Sequence, residues 1–353
     1  MKKFLSALAA LSVLTAALAG CGSSASTTTA TATTTATTTA TTTAATAAVT
    51  EAAAQGNGSE YKVAIVQQLD HTSLDEIRLA MEAELDKKAA EKGITITYKE
   101  FNGQNDATVL NQIGAQVVSD QYDAILPIAT LAATTMATAT EENRIPVIYA
   151  AISDPASSDL TGIPNVTGTS DALNTQFILD MMLAAQPDIE TVGLLYSNSE
   201  VNSVTPIAEA KAYLDSKGIA YLEKTGNSTD EILTAASAMV GRVQAVFTPT
   251  DNVVMAAASA VAEILTDAGI PHYTGADSFV TAGAFTTCGV NYTELGTYTA
   301  DMAVDILLGG AIPEYHVMDG GIITVNTDTA KALGIDYSVF STMAGTVKEV
   351  TTE

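Results

Sequence analysis

Polar side chains that could bind a small ligand cluster at two places where an apolar run ends and a helical pattern begins. These hydroxyl, amide and imidazole groups belong to Gln67, His71, Thr72, Ser73, Asn198, Asn202 and Ser203. In a parallel α/β sheet, ligands bind at the carboxyl ends of the strands, and the free N–H groups of a helix start bind anions. The two junctions, 63–74 and 192–204, therefore predict two similar lobes that face each other across a cleft.

Further donors and acceptors follow other predicted strands or lie beside a predicted crossing between the lobes. Thr130, Ser153, Asp251, Asn252 and Asp277 follow strands, and Thr169 and Ser170 lie beside the crossing. A ligand carboxylate is expected at the 192–204 junction, and Asp251 or Asp277 is the candidate partner for an ammonium group, because a charged acceptor strengthens a hydrogen bond about twofold. The alternative for Ser73, Thr130 and Asp251 is a purely structural role as helix N-caps.

These junctions require parallel sheets, and the pattern of the chain predicts them. From residue 61 onward, short apolar runs alternate with amphipathic helical stretches, which is typical of parallel sheets covered by helices. The predicted strands are 62–67, 95–99, 124–128, 147–150, 192–196, 220–224, 245–248, 271–274, 284–289 and 321–325. The predicted helices are 74–92, 107–119, 131–142, 171–185, 204–217, 230–240, 253–268, 295–308 and 329–333.

The order of these elements predicts an α/β chain of two Rossmann-like lobes joined by a multi-strand hinge. The loop-rich passage 152–169 is the predicted first crossing, and Thr169 and Ser170 beside it could contact ligand or only hold the hinge. The predicted divisions are 1–20 as a signal peptide, 21–58 as a lipidated cysteine and tether, 59–165 with 291–340 as lobe 1, 166–290 as lobe 2, and 341–353 as a tail.

The amino terminus predicts export and anchoring. Lys2 and Lys3 precede an apolar run, 4–18, that is too short to span a membrane as a helix. The sequence Leu-Ala-Gly-Cys at 18–21 resembles a bacterial lipobox, which implies cleavage before Cys21 and lipid attachment to it. The Ala/Thr-rich stretch that follows has no aromatic residue and no hydrophobic period, so we expect a disordered tether.

Composition argues against several functions. The chain has 40 acidic and 15 basic residues, for a net charge of −25, which disfavours nucleic acid and anionic membrane surfaces as partners. Cys288 has no disulfide partner if Cys21 is lipidated, and we expect it to be a buried structural thiol. No spacing of histidines and cysteines predicts a metal site, no motif implies a cofactor, and no nucleophile elbow or phosphate loop indicates an enzyme.

Six segments in order carry a resemblance to a known family. They are 67–75, 128–133, 153–155, 165–170, 195–203 and 246–252. Together, and behind a lipobox, they resemble the ABC-type substrate-binding lipoproteins of the tryptophan/tyrosine class, over residues 61–337. The resemblance implies a type I binding-protein fold that closes on a small ligand. One departure is His-Thr-Ser-Leu-Asp at 71–75, where the family commonly has His-Pro-Ala-Leu-Asp.

The favoured hypothesis is a lipid-anchored, extracytoplasmic solute-binding protein that delivers an amino acid, with aromatic amino acids among the candidates, to an ABC permease and its ATPase. Two alternatives remain open at this stage. The protein could be a ligand sensor that signals to a membrane receptor, or it could bind a sugar or a nucleoside. An enzyme is disfavoured, since Asp251 could pair with His71 or His272 only in a geometry that the sequence does not indicate.

Overall fold

The computed structural model describes residues 59–344 and 346–352. The predicted signal peptide, the predicted lipidation site at Cys21 and the whole of the predicted tether lie outside the described residues. Within those two described ranges, no helix is both long enough and apolar enough to cross a bilayer.

The strands and helices alternate along most of the chain. The strands are β1 (Glu60–Gln67), β2 (Thr95–Asn102), β3 (Ala124–Ile128), β4 (Val147–Tyr149), β5 (Val166–Ser170), β6 (Thr191–Tyr196), β7 (Ala220–Thr225), β8 (Ala245–Thr248), β9 (His272–Thr274), β10 (Thr286–Gly289), β11 (His316–Val317), β12 (Ile322–Asn326) and β13 (Thr346–Val350). The helices are α1 (Thr72–Lys92), α2 (Ala107–Ser119), α3 (Thr130–Ala139), α4 (Thr175–Ala185), α5 (Val204–Lys217), α6 (Thr229–Ser237), α7 (Asn252–Met255), α8 (Ala258–Asp267), α9 (Asp277–Thr281), α10 (Tyr292–Leu307) and α11 (Thr327–Leu333).

The first lobe is built on a six-stranded sheet in the order β11-β5-β4-β3-β1-β2. All its neighbouring strands are parallel. Helix α1 packs on α10, and α2 packs on α3. All five residues of β3 are buried, as expected for a strand that is covered by helices on both faces of a parallel sheet.

The second lobe is built on a seven-stranded sheet in the order β13-β12-β10-β9-β8-β6-β7. Its pairings are parallel except that of β10 with β12, which is antiparallel. The chain passes between the lobes after β5, after β10 and after β11. The fold-class prediction of two α/β lobes with parallel sheets and a multi-strand hinge is therefore confirmed.

Three predicted boundaries are wrong. Strand β5 was assigned to the second lobe, but it pairs with β4 in the first. Strand β12 was expected to return to the first lobe, but it pairs with β10. The predicted tail contains β13, which pairs with β12 over five residues. The common reason is that strand pairing is a long-range contact, and the polar sequence Thr-Val-Lys-Glu-Val of β13 carries little apolar signal of its own.

Candidate ligand-binding site between the lobes

A cavity lies between the lobes, at the carboxyl ends of their strands. The first lobe and the hinge contribute His71, Ser73, Leu74, Ala129, Thr130, Ala151, Ser153, Asp171 and Tyr292. The second lobe contributes Asn202, Thr250, Asp251, Asn252, Met255, Ala276 and Phe279. The position is the one that strand-end geometry predicts for a ligand in a parallel α/β protein.

Direct hydrogen bonds between the lobes close the cleft around this cavity. They join Gln68 Nε2 to Glu200 Oε1 (3.1 Å), His71 Nε2 to Asn252 Oδ1 (3.0 Å), Ser153 Oγ to Thr250 Oγ1 (2.9 Å) and Thr205 Oγ1 to Asp154 Oδ2 (2.8 Å), with a further contact between the hydroxyls of Ser73 and Ser278. Opening the cleft would separate all five pairs, so these bonds define the closed arrangement.

Asp171 places a buried carboxylate at the cavity. It follows β5 directly, is 4% exposed, and accepts hydrogen bonds from Ser153 Oγ (2.9 Å) and Tyr292 Oη (3.0 Å). Burial raises the pKa of Asp171 above its ordinary value. Among the described residues, no lysine or arginine lines the cavity, so the two neutral hydroxyls stabilise this carboxylate without a positive counter-charge.

A second acceptor belongs to Asn202. Its Nδ2 donates to the carbonyl oxygen of Thr250 (2.7 Å), which determines the orientation of the amide. Its Oδ1 is buried and has no hydrogen-bond partner. A buried acceptor left in this state costs about 1–3 kcal/mol, and a donor on a ligand would remove that cost.

Two helix starts border the cavity, those of α1 and of α3, and in α3 the backbone N–H of Leu131 donates to Gln68 Oε1 (2.9 Å). Neither His71 before α1 nor Ala129 before α3 accepts a capping hydrogen bond through its side chain. Ala129 has φ 74° and ψ 164°, a backbone conformation that favours glycine and is found mainly at functional sites in other residues. Ser73 and Thr130 in the first turns line the cavity, so the partial positive ends of both helices lie beside it.

Asp251 has a structural role at the same cavity. Its Oδ1 accepts from the Val254 N–H (2.9 Å), and its Oδ2 accepts from the Ser197 N–H and Ser203 Oγ (both 2.7 Å). It therefore caps α7 and holds the β6 turn against it. Burial raises the pKa of Asp251.

Glu200 is a second buried carboxylate of this lobe, at 4% exposure. Its two oxygens accept from Gln68 Nε2 and from Asn252 Nδ2, the latter at 2.6 Å. Burial, together with the nearby charge of Asp251, raises the pKa of Glu200 to about 7. Glu200 thus connects the second lobe to the first without itself lining the cavity.

The remaining wall of the cavity is apolar. It is formed by Leu74, Met255, Ala276, Phe279 and the ring of Tyr292. These side chains come from both lobes, and each is less than 9% exposed. A ligand that fills this part of the cavity needs an apolar surface of its own.

Seven of the residues predicted as ligand-binding lie at the cavity: His71, Ser73, Thr130, Ser153, Asn202, Asp251 and Asn252. The others lie away from it. Thr72 and Asn198 are exposed; Asn198 donates to Thr225 Oγ1. Asp277 lies on the far side of α9, with its Oδ2 3.5 Å from Lys348 Nζ. A residue that follows a strand can point in several directions, and the sequence does not specify which.

Four further predicted residues are buried but bonded elsewhere. Gln67 donates to Asp75 Oδ1 (2.9 Å), Thr169 bonds Thr299 Oγ1 (2.7 Å), Ser170 donates to the carbonyl oxygen of Ser153 (3.5 Å), and Ser203 donates to Asp251. Sequence reasoning missed Asp171, Thr250, Gln68 and Glu200. Asp171 is missed because the sequence pattern predicts no strand at 166–170 and starts a helix at residue 171, whereas in the structure Asp171 directly follows β5.

The family model for "ABC transporter substrate binding protein" matches residues 62–346. The chain belongs to the ABC transporter substrate binding protein family. A tyrosine-binding protein of Clostridioides difficile (strain R20291) is 30% identical over 278 residues, which are 77% of this chain and 80% of that protein. This is a family of substrate-binding proteins and not of enzymes, as the sequence predicted, and its solved members have the type I periplasmic binding fold.

Two solved substrate-binding proteins superpose on this chain to different degrees. A Streptococcus pneumonia ABC domain in complex with L-Trp has a TM-score of 0.76 at 30% identity, covering 82% of this chain and 100% of that one. A ligand-free, open substrate binding protein with adhesive properties from Clostridium difficile has a TM-score of 0.63 at 31% identity, covering 83% and 100%. The two structures are nearly equal in identity and coverage, and the chain has the higher TM-score with the L-Trp complex.

Proposed function

We propose that this substrate-binding protein captures a free aromatic amino acid in the interlobe cavity and delivers it to an ABC importer. The buried carboxylate of Asp171 is the observation that carries the proposal. It has only hydroxyl partners and no cationic side chain beside it, and an α-ammonium group would supply the missing positive charge. Asn202 Oδ1 is a suitable second acceptor for the same ammonium.

The ligand carboxylate would lie at the starts of α1 and α3, where the helix dipoles and the backbone N–H groups favour an anion. The N–H of Leu131 is not among these donors, because it already donates to Gln68 Oε1. The orientation of the ligand is therefore opposite to the one that the sequence suggested. The sequence suggested a carboxylate near 192–204 and an ammonium group at Asp251. The reversal has a physical cause, because the Asp251 oxygens are already occupied by Ser197, Ser203 and Val254.

An aromatic side chain fits the apolar wall formed by Leu74, Met255 and Phe279. The relatives support the same ligand class, since one is named for tyrosine binding and another was solved with L-Trp. Delivery to a permease is supported by the family name, and extracytoplasmic anchoring by the lipobox at Cys21.

A ligand screen by thermal unfolding tests the proposal on the chain from residue 55 onward. Tyrosine, tryptophan and phenylalanine are compared with glucose, myo-inositol and adenosine. A ligand at 100 times its Kd adds about 2.7 kcal/mol of stability, which corresponds to a rise in Tm of roughly 4 °C for a protein of this size. A response to a sugar or nucleoside with none to any amino acid would overturn the proposed ligand class.

A further inference from the structure

One nitrogen of His71 is buried and has no hydrogen-bond partner among the residues that the structure describes. His71 lines the cavity, its Nε2 lies 3.0 Å from Asn252 Oδ1, and its Nδ1 is buried without a hydrogen-bond partner. Burial lowers the pKa of His71, which favours the neutral imidazole. A neutral imidazole has one donor nitrogen and one acceptor nitrogen, and the neighbours decide which is which.

The deciding chain of hydrogen bonds begins at Gln68. Its Oε1 accepts from the backbone N–H of Leu131 (2.9 Å), which fixes the orientation of the amide, and its Nε2 donates to Asn105 Oδ1 (2.8 Å) and to Glu200 Oε1 (3.1 Å). A backbone N–H can only donate, so Gln68 cannot turn its amide over without losing these bonds. The Nε2 group of Gln68 therefore always faces Glu200 Oε1 as a hydrogen-bond donor.

The chain continues from Glu200 to His71. An ionised carboxylate only accepts, so Glu200 Oε2 takes the Nδ2 of Asn252 at 2.6 Å. The amide of Asn252 must then present Oδ1 to His71, and His71 Nε2 must be the donor in the 3.0 Å contact. The proton of the ring is thereby held on Nε2, and Nδ1 is left as an acceptor.

We infer that His71 Nδ1 accepts a hydrogen bond from the side chain of the bound amino acid, so that the site selects aromatic rings bearing a donor, and that Glu200 positions this acceptor through Asn252. The inference rests on the proposed function and adds a ligand class within it. A phenol O–H or an indole N–H satisfies the buried nitrogen, whereas phenylalanine leaves it unpaired. Sites that bond a substrate hydroxyl reject analogues lacking it, because their own buried polar group then loses its partner.

Matched ligand pairs measure this selection by calorimetry at pH 8, where Glu200 is ionised. Tyrosine is compared with phenylalanine, and tryptophan with 3-benzothienylalanine, in which sulfur replaces the indole N–H at nearly constant shape. We expect the preferred donor-bearing ligand to bind at least about tenfold more tightly than its partner. Equal affinities within both pairs would overturn the inference while leaving aromatic amino acid binding intact; no binding of any of the four would overturn the proposed function as well.

The variant Glu200→Gln tests the positioning role. The Nε2 group of the new glutamine must donate to one of its two neighbours, Gln68 or Asn252. The amide of Gln68 is fixed by its bond from the Leu131 N–H, so it keeps its Nε2 towards residue 200. The amide of Asn252 has no such constraint and can rotate by 180°. Asn252 would then present Nδ2 to His71, moving the ring proton to Nδ1 and destroying the acceptor. We expect the preference for the ring donor to fall to about twofold or less, with phenylalanine affinity nearly unchanged. A general loss of structure would weaken all ligands equally.

A spectroscopic readout separates the tautomer from packing effects. The chain has three histidines, so the imidazole ¹⁵N resonances can be assigned by substitution of each. Wild-type protein with ligand should give a protonated Nε2 at His71, and Glu200→Gln a protonated Nδ1. Glu84→Gln is the matched control, a buried glutamate in α1 that pairs with Lys87; it should change neither the tautomer nor the selectivity. An unchanged His71 tautomer in Glu200→Gln would contradict the role of Glu200.

Discussion

At the scale of single residues, Asp171 and Asp251 have similar positions in the sequence but different hydrogen-bond partners in the fold. Each follows a buried strand at a cleft, and each is nearly inaccessible. The oxygens of Asp251 accept backbone N–H groups at the start of α7 and from Ser197. Those of Asp171 accept only hydroxyls, so only Asp171 lacks compensation that a cationic ligand group could provide.

Replacement of Asp171 by asparagine is expected to weaken amino acid binding on the order of 100-fold, because loss of a buried charged partner costs about 2–5 kcal/mol. The same change should raise the Tm of the ligand-free protein, since a neutral amide carries no desolvation penalty and both hydroxyl partners can adapt to it. Calorimetry and thermal unfolding measure the two effects. Asp277→Asn is the control, because Asp277 lies outside the cavity and should leave affinity unchanged; similar losses in both variants would contradict the assignment.

Glu200 predicts a pH dependence of stability. Its pKa is raised from 4.5 to about 7 in the folded chain by burial and by Asp251, so the folded state holds this proton more tightly than the unfolded state does. The remaining groups that face Glu200, Gln68 and Asn252, are neutral. The corresponding stabilisation is complete below pH 4.5 and is lost as the pH rises through about 7, an effect on the order of 3 kcal/mol.

Urea unfolding at pH 5 and pH 8 measures this effect, with Glu200→Gln as the reference that lacks the titrating group. The wild-type free energy of unfolding should fall between the two pH values by more than that of the variant. Buried acids that do not face Glu200, such as Asp171, are common to both proteins and cancel in the difference, whereas Asp251, whose charge acts on Glu200, contributes to it. Parallel pH profiles would contradict the predicted proton uptake at Glu200.

At the scale of elements, β13 is the clearest case of a strand that local sequence did not reveal. It pairs in register with β12, Tyr337 Oη donates to Glu349 Oε1 (2.8 Å), and Asn326 Nδ2 donates to Thr352 Oγ1 (2.9 Å). These contacts make the carboxyl-terminal segment part of the sheet of the second lobe.

Deletion of residues 346–353 should therefore lower the free energy of unfolding by about 1–3 kcal/mol, since each lost hydrogen bond contributes about 1 kcal/mol and some will be replaced by water. Ligand affinity should change less than about twofold, because none of the deleted residues lines the cavity. Chemical unfolding and calorimetry on the same preparations test both statements. An unchanged stability would instead fit a tail that does not belong to the sheet.

At the scale of the whole molecule, the closed cleft joins two lobes that each hold half of the candidate site. Asp171 and the starts of α1 and α3 belong to the first lobe and the hinge, whereas Asn202, Met255 and Phe279 belong to the second. A ligand that contacts both halves favours closure by the difference of its affinities for the closed and open forms. Closure would bring Asp171 and His71 of the first lobe together with Asn202 and the apolar residues of the second around one ligand.

The proposed anchor makes a prediction for the intact protein in a bacterial host. Cys21→Ala removes the lipid acceptor, so the protein should move from the membrane fraction to the soluble extracytoplasmic fraction. Fractionation and immunoblotting measure this, and ligand affinity of the released protein should equal that of the chain from residue 55. Retention of the Cys21→Ala protein in the membrane fraction would contradict lipid anchoring at this residue.

The sequence by itself determined the alternation of strands and helices, the two-lobed architecture and the general position of the cleft. These follow from hydrophobic periodicity, which depends on residues within a few positions of each other. Thr130 and Asn202 could be predicted at the cavity for the same reason, since strand ends in a parallel sheet lie on one edge.

Only the tertiary structure decided which of these polar groups serve a ligand. Asp171 and Tyr292 are 121 positions apart and Gln68 and Glu200 are 132 apart, and no local pattern encodes such pairs. Whether a carboxylate caps a helix, pairs with Lys348 or is buried without a cation depends on what the fold brings within about 3 Å of it. Hydrogen bonding and desolvation depend on which groups lie within that distance in space. The order of residues along the chain does not specify which groups these are.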